Sequence, residues 1–316
     1  MCGLSTKGAM IRRMLRILLS AALLASLAAC QRTPPPVPGG DRPTQAVLQL
    51  VQHLRDNDPA GFATAAVPPA LHARLETAWR TGRSRWPLDE LPLEDRLAPM
   101  LATLAAPDAR QGLQQGFDRQ FANASAELKS AATSLGVFGV QYIRTEGDYS
   151  AAERNHYAQT VQALSRWAAQ APLSDPKRAR GTIALLTTAA KHTGIATQDD
   201  LAELGMTGSL ERLGPFLAAT KQAFKSYGLD LDATFDSFDV GLEQQTGNTA
   251  TVRVRYRLGA ETVDALLGVE RVDGRWYLQD YLRNAEGSLQ GPDTRSPAVP
   301  AARMGAVATD HDAPSP

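Results

Sequence analysis

The chain is nearly without cysteine. Only Cys2 and Cys30 carry a thiol among its 316 residues, so everything beyond position 30 lacks a disulfide, a cysteine metal ligand and a thiol nucleophile. Aromatic side chains are sparse at 6%, and with 43% hydrophobic residues a core must be built mainly from aliphatic groups. Neither sign of charge is in excess: 33 basic residues meet 33 acidic ones, a balance that argues against a general nucleic-acid or anionic-membrane binder. The apolar run Ile17–Ala29 is thirteen residues long, short of the roughly 20 that a bilayer span requires. The histidines at 53, 72, 156, 192 and 311 never fall within three to five residues of one another, and H-E-x-x-H, G-x-S-x-G, P-loop and dinucleotide glycine patterns are all missing. These absences predict a body with no metal and no cofactor.

What is present begins at Cys30. Arg12, Arg13 and Arg16 form a cationic lead, the apolar run follows, and Leu27-Ala28-Ala29-Cys30 ends it directly before a proline-rich stretch. That order of charge, apolar run and small residues is a secretory signal. It resembles the signal of bacterial lipoproteins, whose last four residues form the lipobox. The resemblance implies a diacylglycerol thioether on the Cys30 sulfur, cleavage just before it and acylation of the new amino group. Gln31 follows, where many Gram-negative lipoproteins kept at the inner membrane carry Asp, so the resemblance implies the periplasmic face of the outer membrane. Met10 offers a second plausible start, since Met10-Ile11-Arg12-Arg13 opens a signal of ordinary length. Removal of residues 1–29 would take four cations and no acid, leaving 287 residues with a net charge of −4. Residues 31–43, rich in proline, then favour polyproline II and act as a semi-rigid tether of about 40 Å.

From Thr44 to Asp236 the pattern is helical. Val47, Leu50, Val51 and Leu54 make an amphipathic stripe that Asp58-Pro59 interrupts; Leu71, Leu75 and Trp79 make the next, and Leu113, Phe117 and Phe121 a third. Ser150 and Glu153 form a capping box ahead of Tyr157, Val161, Leu164 and Trp167. Asp175-Pro176 opens a helix that Gly194 closes. Thr197 caps a short helix ending at Gly205, and Ser209 starts the long one that runs to Gly228. The period then changes to two: Val252, Val254, Tyr256 and Leu258 alternate with Arg253, Arg255 and Arg257. Strands over 237–245, 261–272 and 275–282, joined by Thr246-Gly247-Asn248, Gly259-Ala260 and Asp273-Gly274, complete an antiparallel meander. The expected class is α+β, a mostly helical body followed by a four-stranded antiparallel meander over 237–283 packed on the helices, with a disordered tail over 284–316.

Leu54-Arg-Asp-Asn-Asp-Pro-Ala60 on an early helix, followed by Val272-Asp-Gly-Arg-Trp-Tyr-Leu278 on late strands, is similar to bacterial lipoproteins of the nuclear-transport-factor-like, cone-shaped α+β fold. About 170 helical residues intervene here where that fold is usually compact. Its members include enzymes, pocket binders and scaffolds, so the resemblance leaves function open.

Candidate chemistry is thin. Glu153-x-x-His156 places a carboxylate and an imidazole on one helix face, but di-iron sites need two such copies and two further carboxylates. Asp230, Asp232, Asp236 and Asp239 read as turn and cap carboxylates, because the EF-hand order is missing. Thr188-x-x-Lys191 has the wrong hydroxyl and no partner motif. The segment Trp79-Arg80-Thr-Gly-Arg83-Ser-Arg85-Trp86 brackets three guanidinium groups with two indoles, a set suited to stacking on sugar rings or clasping acidic groups of an envelope protein or glycan. In the plainer alternative the indoles pack inward and the arginines lie over them or pair with Asp89, Glu90, Glu94 and Asp95. Together these readings lead us to expect a non-catalytic, lipid-anchored interaction or assembly module of the envelope. A small-ligand binder with an apolar pocket between meander and helices, and a wall hydrolase using paired carboxylates, are the two alternatives.

Overall fold

The computed structural model describes residues 37–91, 96–146 and 149–290. Cys30, the lipobox, most of the expected tether and residues 291–316 lie outside them. The body that starts at Pro38 follows the expected α+β order. Among the described residues it comprises α1 (Pro43–Arg55), α2 (Pro59–Ala66), α3 (Pro69–Arg80), a 3-10 turn (Leu88–Glu90), α4 (Leu97–Ala105), α5 (Ala109–Gln120), α6 (Ser125–Thr145), α7 (Ala151–Gln170), α8 (Pro176–Thr193), α9 (Gln198–Ser226), α10 (Leu231–Asp236), β1 (Asp239–Thr246), β2 (Thr249–Leu258), β3 (Glu261–Val272), β4 (Arg275–Leu278) and α11 (Gln279–Ser288).

Local chemistry starts these helices where the sequence says. Asp58 accepts the Gly61 N–H at 2.8 Å behind Pro59. Ser150 and Glu153 form a reciprocal capping box, as do Thr197 and Asp200. Asp175 accepts from Lys177 and Arg178, and Gly194 closes α8 in the left-handed conformation. Gly205 interrupts α9 with φ 73°, and the helix resumes at Met206, ahead of the expected start at Ser209, whose buried hydroxyl donates to the Leu201 carbonyl at 3.1 Å. A Cβ on Gly205 would meet Glu76 Oε1 at 2.2 Å, because the Glu76 carboxylate accepts the Met206 and Thr207 N–H groups and so restarts the helix after the kink.

The sheet is a meander in the order β1-β2-β3-β4, antiparallel throughout. Ala250, Val252, Val254, Tyr256 and Leu258 are buried along one face of β2, matched by Val263, Ala265 and Val269 of β3. Most of that face lies against α1 and α11 and shares one core with residues of α2, α3 and α9; its far end, Tyr256, Leu258 and Val263, packs on Ala163, Trp167, Phe224 and Leu229. On β3, β4 pairs only with Val269–Val272. Farther along that edge the open backbone of Asp264 is taken by Gln159 of α7, which donates to its carbonyl at 2.8 Å and accepts its N–H at 3.0 Å. A short β4 is thus made tolerable by a helix laid over the remaining edge.

Three boundaries move. Gly40 pairs with Trp276 as an isolated bridge, Gly39 donates to the Ala65 carbonyl, and Arg275 donates to the Pro38 and Gly39 carbonyls. Residues 38–43, expected in the tether, therefore belong to the body. The last strand stops at Leu278 instead of 282. The expected tail from 284 is corrected as well: α11 runs to Ser288 with Ala285 and Ser288 buried, and the Ser84 and Ser288 hydroxyls share a buried hydrogen bond at 2.8 Å.

Candidate functional site

The expected Trp79–Trp86 segment folds into a loop between α3 and the 3-10 turn. Both indoles are fully buried, which corrects the reading that they stack on a ligand. Trp79 Nε1 donates to the Leu201 carbonyl at 2.8 Å, and Trp86 Nε1 donates to Glu90 Oε1 at 3.0 Å. Arg85 lies over the Trp79 ring at 5.2 Å while donating to the Trp79 carbonyl at 2.6 Å and to Gln198 Oε1 at 3.1 Å. Its guanidinium fastens the loop to the start of α9 and does not face solvent as a clasp. Arg80 pairs with Glu76 at 3.3 Å. Arg83 is exposed, donates to Thr81 Oγ1 at 3.1 Å, and lines a surface depression of about 430 Å³ with Arg74, Thr77 and Leu289. Of the five side chains, only Arg80 and Arg83 keep an outward character.

The loop leads into a cluster the sequence did not reveal. Glu90 accepts from Trp86 through Oε1 and from Asn284 Nδ2 of α11 through Oε2, at 2.8 Å. Glu153, at the start of α7, accepts the Ser150 N–H at 2.8 Å and Arg283 Nη2 at 2.5 Å. Arg283 also reaches Asp280 at 3.4 Å. Tyr149 meets Tyr157 edge-on at 5.4 Å, and Tyr281 meets Phe62 in the same way at 5.4 Å. Three elements far apart in sequence are joined here by three carboxylates, one guanidinium and a tyrosine wall.

The electrostatics of the three acids diverge. Glu90 keeps much of its surface open to solvent, yet protein rings it closely enough that burial pushes its carboxyl up to about 7, against the pull of its Asn284 and Trp86 hydrogen bonds. Burial, then the neighbouring Glu153 charge, raises Asp280 to about 6. Burial would raise Glu153 too, but the Ser150 bonds and Arg283 outweigh it and hold that carboxyl below its ordinary value. Burial raises the Tyr157 and Tyr281 hydroxyls. Such a split among neighbouring acids is the pattern of acid–base pairs. Here, however, both oxygens of Glu90 and both of Glu153 already accept hydrogen bonds from the protein, so the geometry describes a latch between elements.

Other candidates fall to structural roles. His156 shares a 2.8 Å hydrogen bond with the Tyr256 hydroxyl, and burial lowers its imidazole pKa. Asp230 caps α10 and pairs with Lys225, Asp232 pairs with Lys221, and Asp236 pairs with Arg55. Thr188 accepts from Arg110 at 2.6 Å. Among the described residues no group of three or more His, Cys, Asp or Glu side chains can hold a metal ion, and no helix is long and apolar enough to cross a membrane. No family model, curated protein or solved structure matches the chain.

Proposed function

We propose that the chain is a lipid-anchored protein of the bacterial envelope whose body serves as a non-catalytic interaction module. The observation that carries the reading is α6. This helix packs chiefly on α7 and leaves Leu135, Val137 and Phe138 at 58%, 70% and 60% exposure, side by side within two turns. An exposed apolar surface of that kind marks a contact for another molecule. The lipobox-like run ending in Cys30 supports the anchor and the envelope compartment, and the resemblance at Gln31 supports the outer membrane.

What weighs against the ligand-binding alternative is the valine-filled interface between sheet and helices. Depressions of about 430 and 400 Å³ lie instead on helix flanks. The hydrolase alternative draws on one specific observation, the opposed acids Glu90, Asp280 and Glu153. It predicts glycan cleavage that disappears in Glu90→Gln, and a zymogram without lysis by the parent chain removes it.

The interaction reading is tested by crosslinking in intact cells with mass-spectrometric identification of adducts. Adducts through α6 are expected from the parent and lost from Leu135→Glu/Phe138→Glu. Equal adduct yields from both chains would overturn it.

A further inference from the structure

Between Lys129 and Arg144 α6 carries no charged residue, fourteen positions in a row on a surface helix. The face turned toward α7 is built from small groups: Ser165 Oγ donates to the Ala132 carbonyl at 2.9 Å, and a Cβ on Gly136 would meet that same hydroxyl oxygen at 2.0 Å. The outer face has a second seam. Ala131, Ser134, Phe138 and Gln141 recur at spacings of three, four and three residues, all exposed, with Leu135 and Val137 on its flanks. That is the spacing by which one helix lays side chains into another.

The seam is divided by size. Its first half is small (Ala131, Ser134) and its second half large (Phe138, Gln141), with Gly136 midway between them. A two-fold axis crossing the outer face at the height of Gly136 sets Ser134 against Phe138 and Ala131 against Gln141, small against large at each step. An isologous interface must be complementary to itself, and the antiparallel arrangement about this axis gives the seam that complementarity. Having no charge, it also meets its own copy without repulsion. A lipid surface suits it less: serines, threonine and glutamine are interspersed with the apolar groups, and the only cations, Lys129 and Arg144, stand at its ends.

We propose that α6 pairs antiparallel with α6 of a second copy of this chain, Phe138 of each seated over Ala131 and Ser134 of the other. The inference rests on the reading of the body as an interaction module and names its partner. Fourteen residues of helix span about 21 Å, a contact at the small end of specific interfaces. Two copies confined by lipid to one leaflet meet at a raised effective concentration, which lets a small interface hold.

The scarcity of cysteine makes the test clean. Full-length chains carrying Ala131→Cys or Gln141→Cys, with different tags, are co-expressed and their membranes mildly oxidised; the parent sets the background from Cys2 and Cys30. A disulfide-linked species of twice the mass is expected from the mixture and not from either variant alone, because like positions lie about 15 Å apart along the antiparallel pair. Phe138→Glu, an exposed change whose folding is checked by circular dichroism, should cut that species about tenfold. Crosslinking of each variant to itself but not across the mixture would overturn the antiparallel pairing. Adducts with a different protein would overturn the second copy and leave the interaction reading standing. No adduct of any mass, here or in intact cells, would remove both.

Discussion

Glu90 and Asp280 are acids that burial pushes toward neutrality, to about 7 and about 6, and the sign of their effect on stability follows. Each binds its proton more tightly in the fold than in the unfolded chain. Their stabilising contribution is therefore complete below about pH 4 and is lost as pH rises, through about 6 for Asp280 and about 7 for Glu90. Glu153, held low, acts in the opposite sense and lends stability that disappears in acid. Glu90→Gln keeps an acceptor for Trp86 and removes the titration. Urea unfolding of parent and variant from pH 4.5 to 8 should show the variant gaining on the parent as pH rises. Discounted for the solvent around Glu90, the gain is on the order of 1 kcal/mol. Parallel curves would mean that Glu90 titrates as an ordinary surface acid. Gly205 offers a second test at this scale. Its positive φ and the Glu76 carboxylate that a Cβ would strike predict that Gly205→Ala lowers stability by about 2 kcal/mol or more in the same assay. A loss no greater than that of Gly181→Ala, where nothing lies within reach of a Cβ, would contradict that.

At the scale of elements, α11 shows what the sequence hides. Its buried positions are Ala285 and Ser288, with Tyr281 half-buried against Phe62. Tyr281, Leu282 and Leu289 pack half-buried against the core, but only Leu289 of these lies beyond residue 283, so the stretch from 284 reads as tail. Residues Gly39 and Gly40 mislead in the same way, because a bridge to Trp276 made by backbone alone leaves no side-chain pattern. Where large aliphatic groups and caps coincide, as from Val47 to Leu54, at Ser150–Glu153 and in the alternation of β2, periodicity and turn chemistry were sufficient. The inward packing of Trp79 and Trp86 was legible as an alternative, since indoles beside helices usually fill cores. The Glu90–Asn284 contact spans 194 positions and left no mark on either local pattern. Truncation separates α11 from the residues after it. A chain ending at Gln290 should melt like the parent, whereas one ending at Leu278 removes the partners of Ser84, Glu90 and Glu153 and opens the core over Ala285. It should lose several kcal/mol, a fall of about 10 °C or more in Tm. Equal melting of the two truncations would make α11 an ornament.

At the scale of the whole molecule the question is what holds it in place. Among the described residues no helix is long and apolar enough to cross a bilayer, and the balanced formal charge offers no broad electrostatic attraction. The proposed anchor is lipid on Cys30, where each buried methylene adds about 0.8 kcal/mol and two or more chains hold durably. With Pro38 already in the body, the proposed anchor leaves eight residues, 30–37, to reach the lipid, no more than about 28 Å of chain. Under that proposal the body is held near the leaflet, and copies that share it can meet through faces such as that of α6. Cys30→Ser should abolish palmitate incorporation and move the protein from the membrane pellet to the soluble fraction. The parent should stay in the pellet through washes with high salt and alkaline carbonate, which strip proteins held by charge or by contact with another protein. The α6 crosslink should weaken in Cys30→Ser too, since dilution into three dimensions removes the effective concentration that a small interface depends on. A Cys30→Ser protein that remained in the pellet would place the anchor elsewhere in the chain, and with it the reason for two copies to meet.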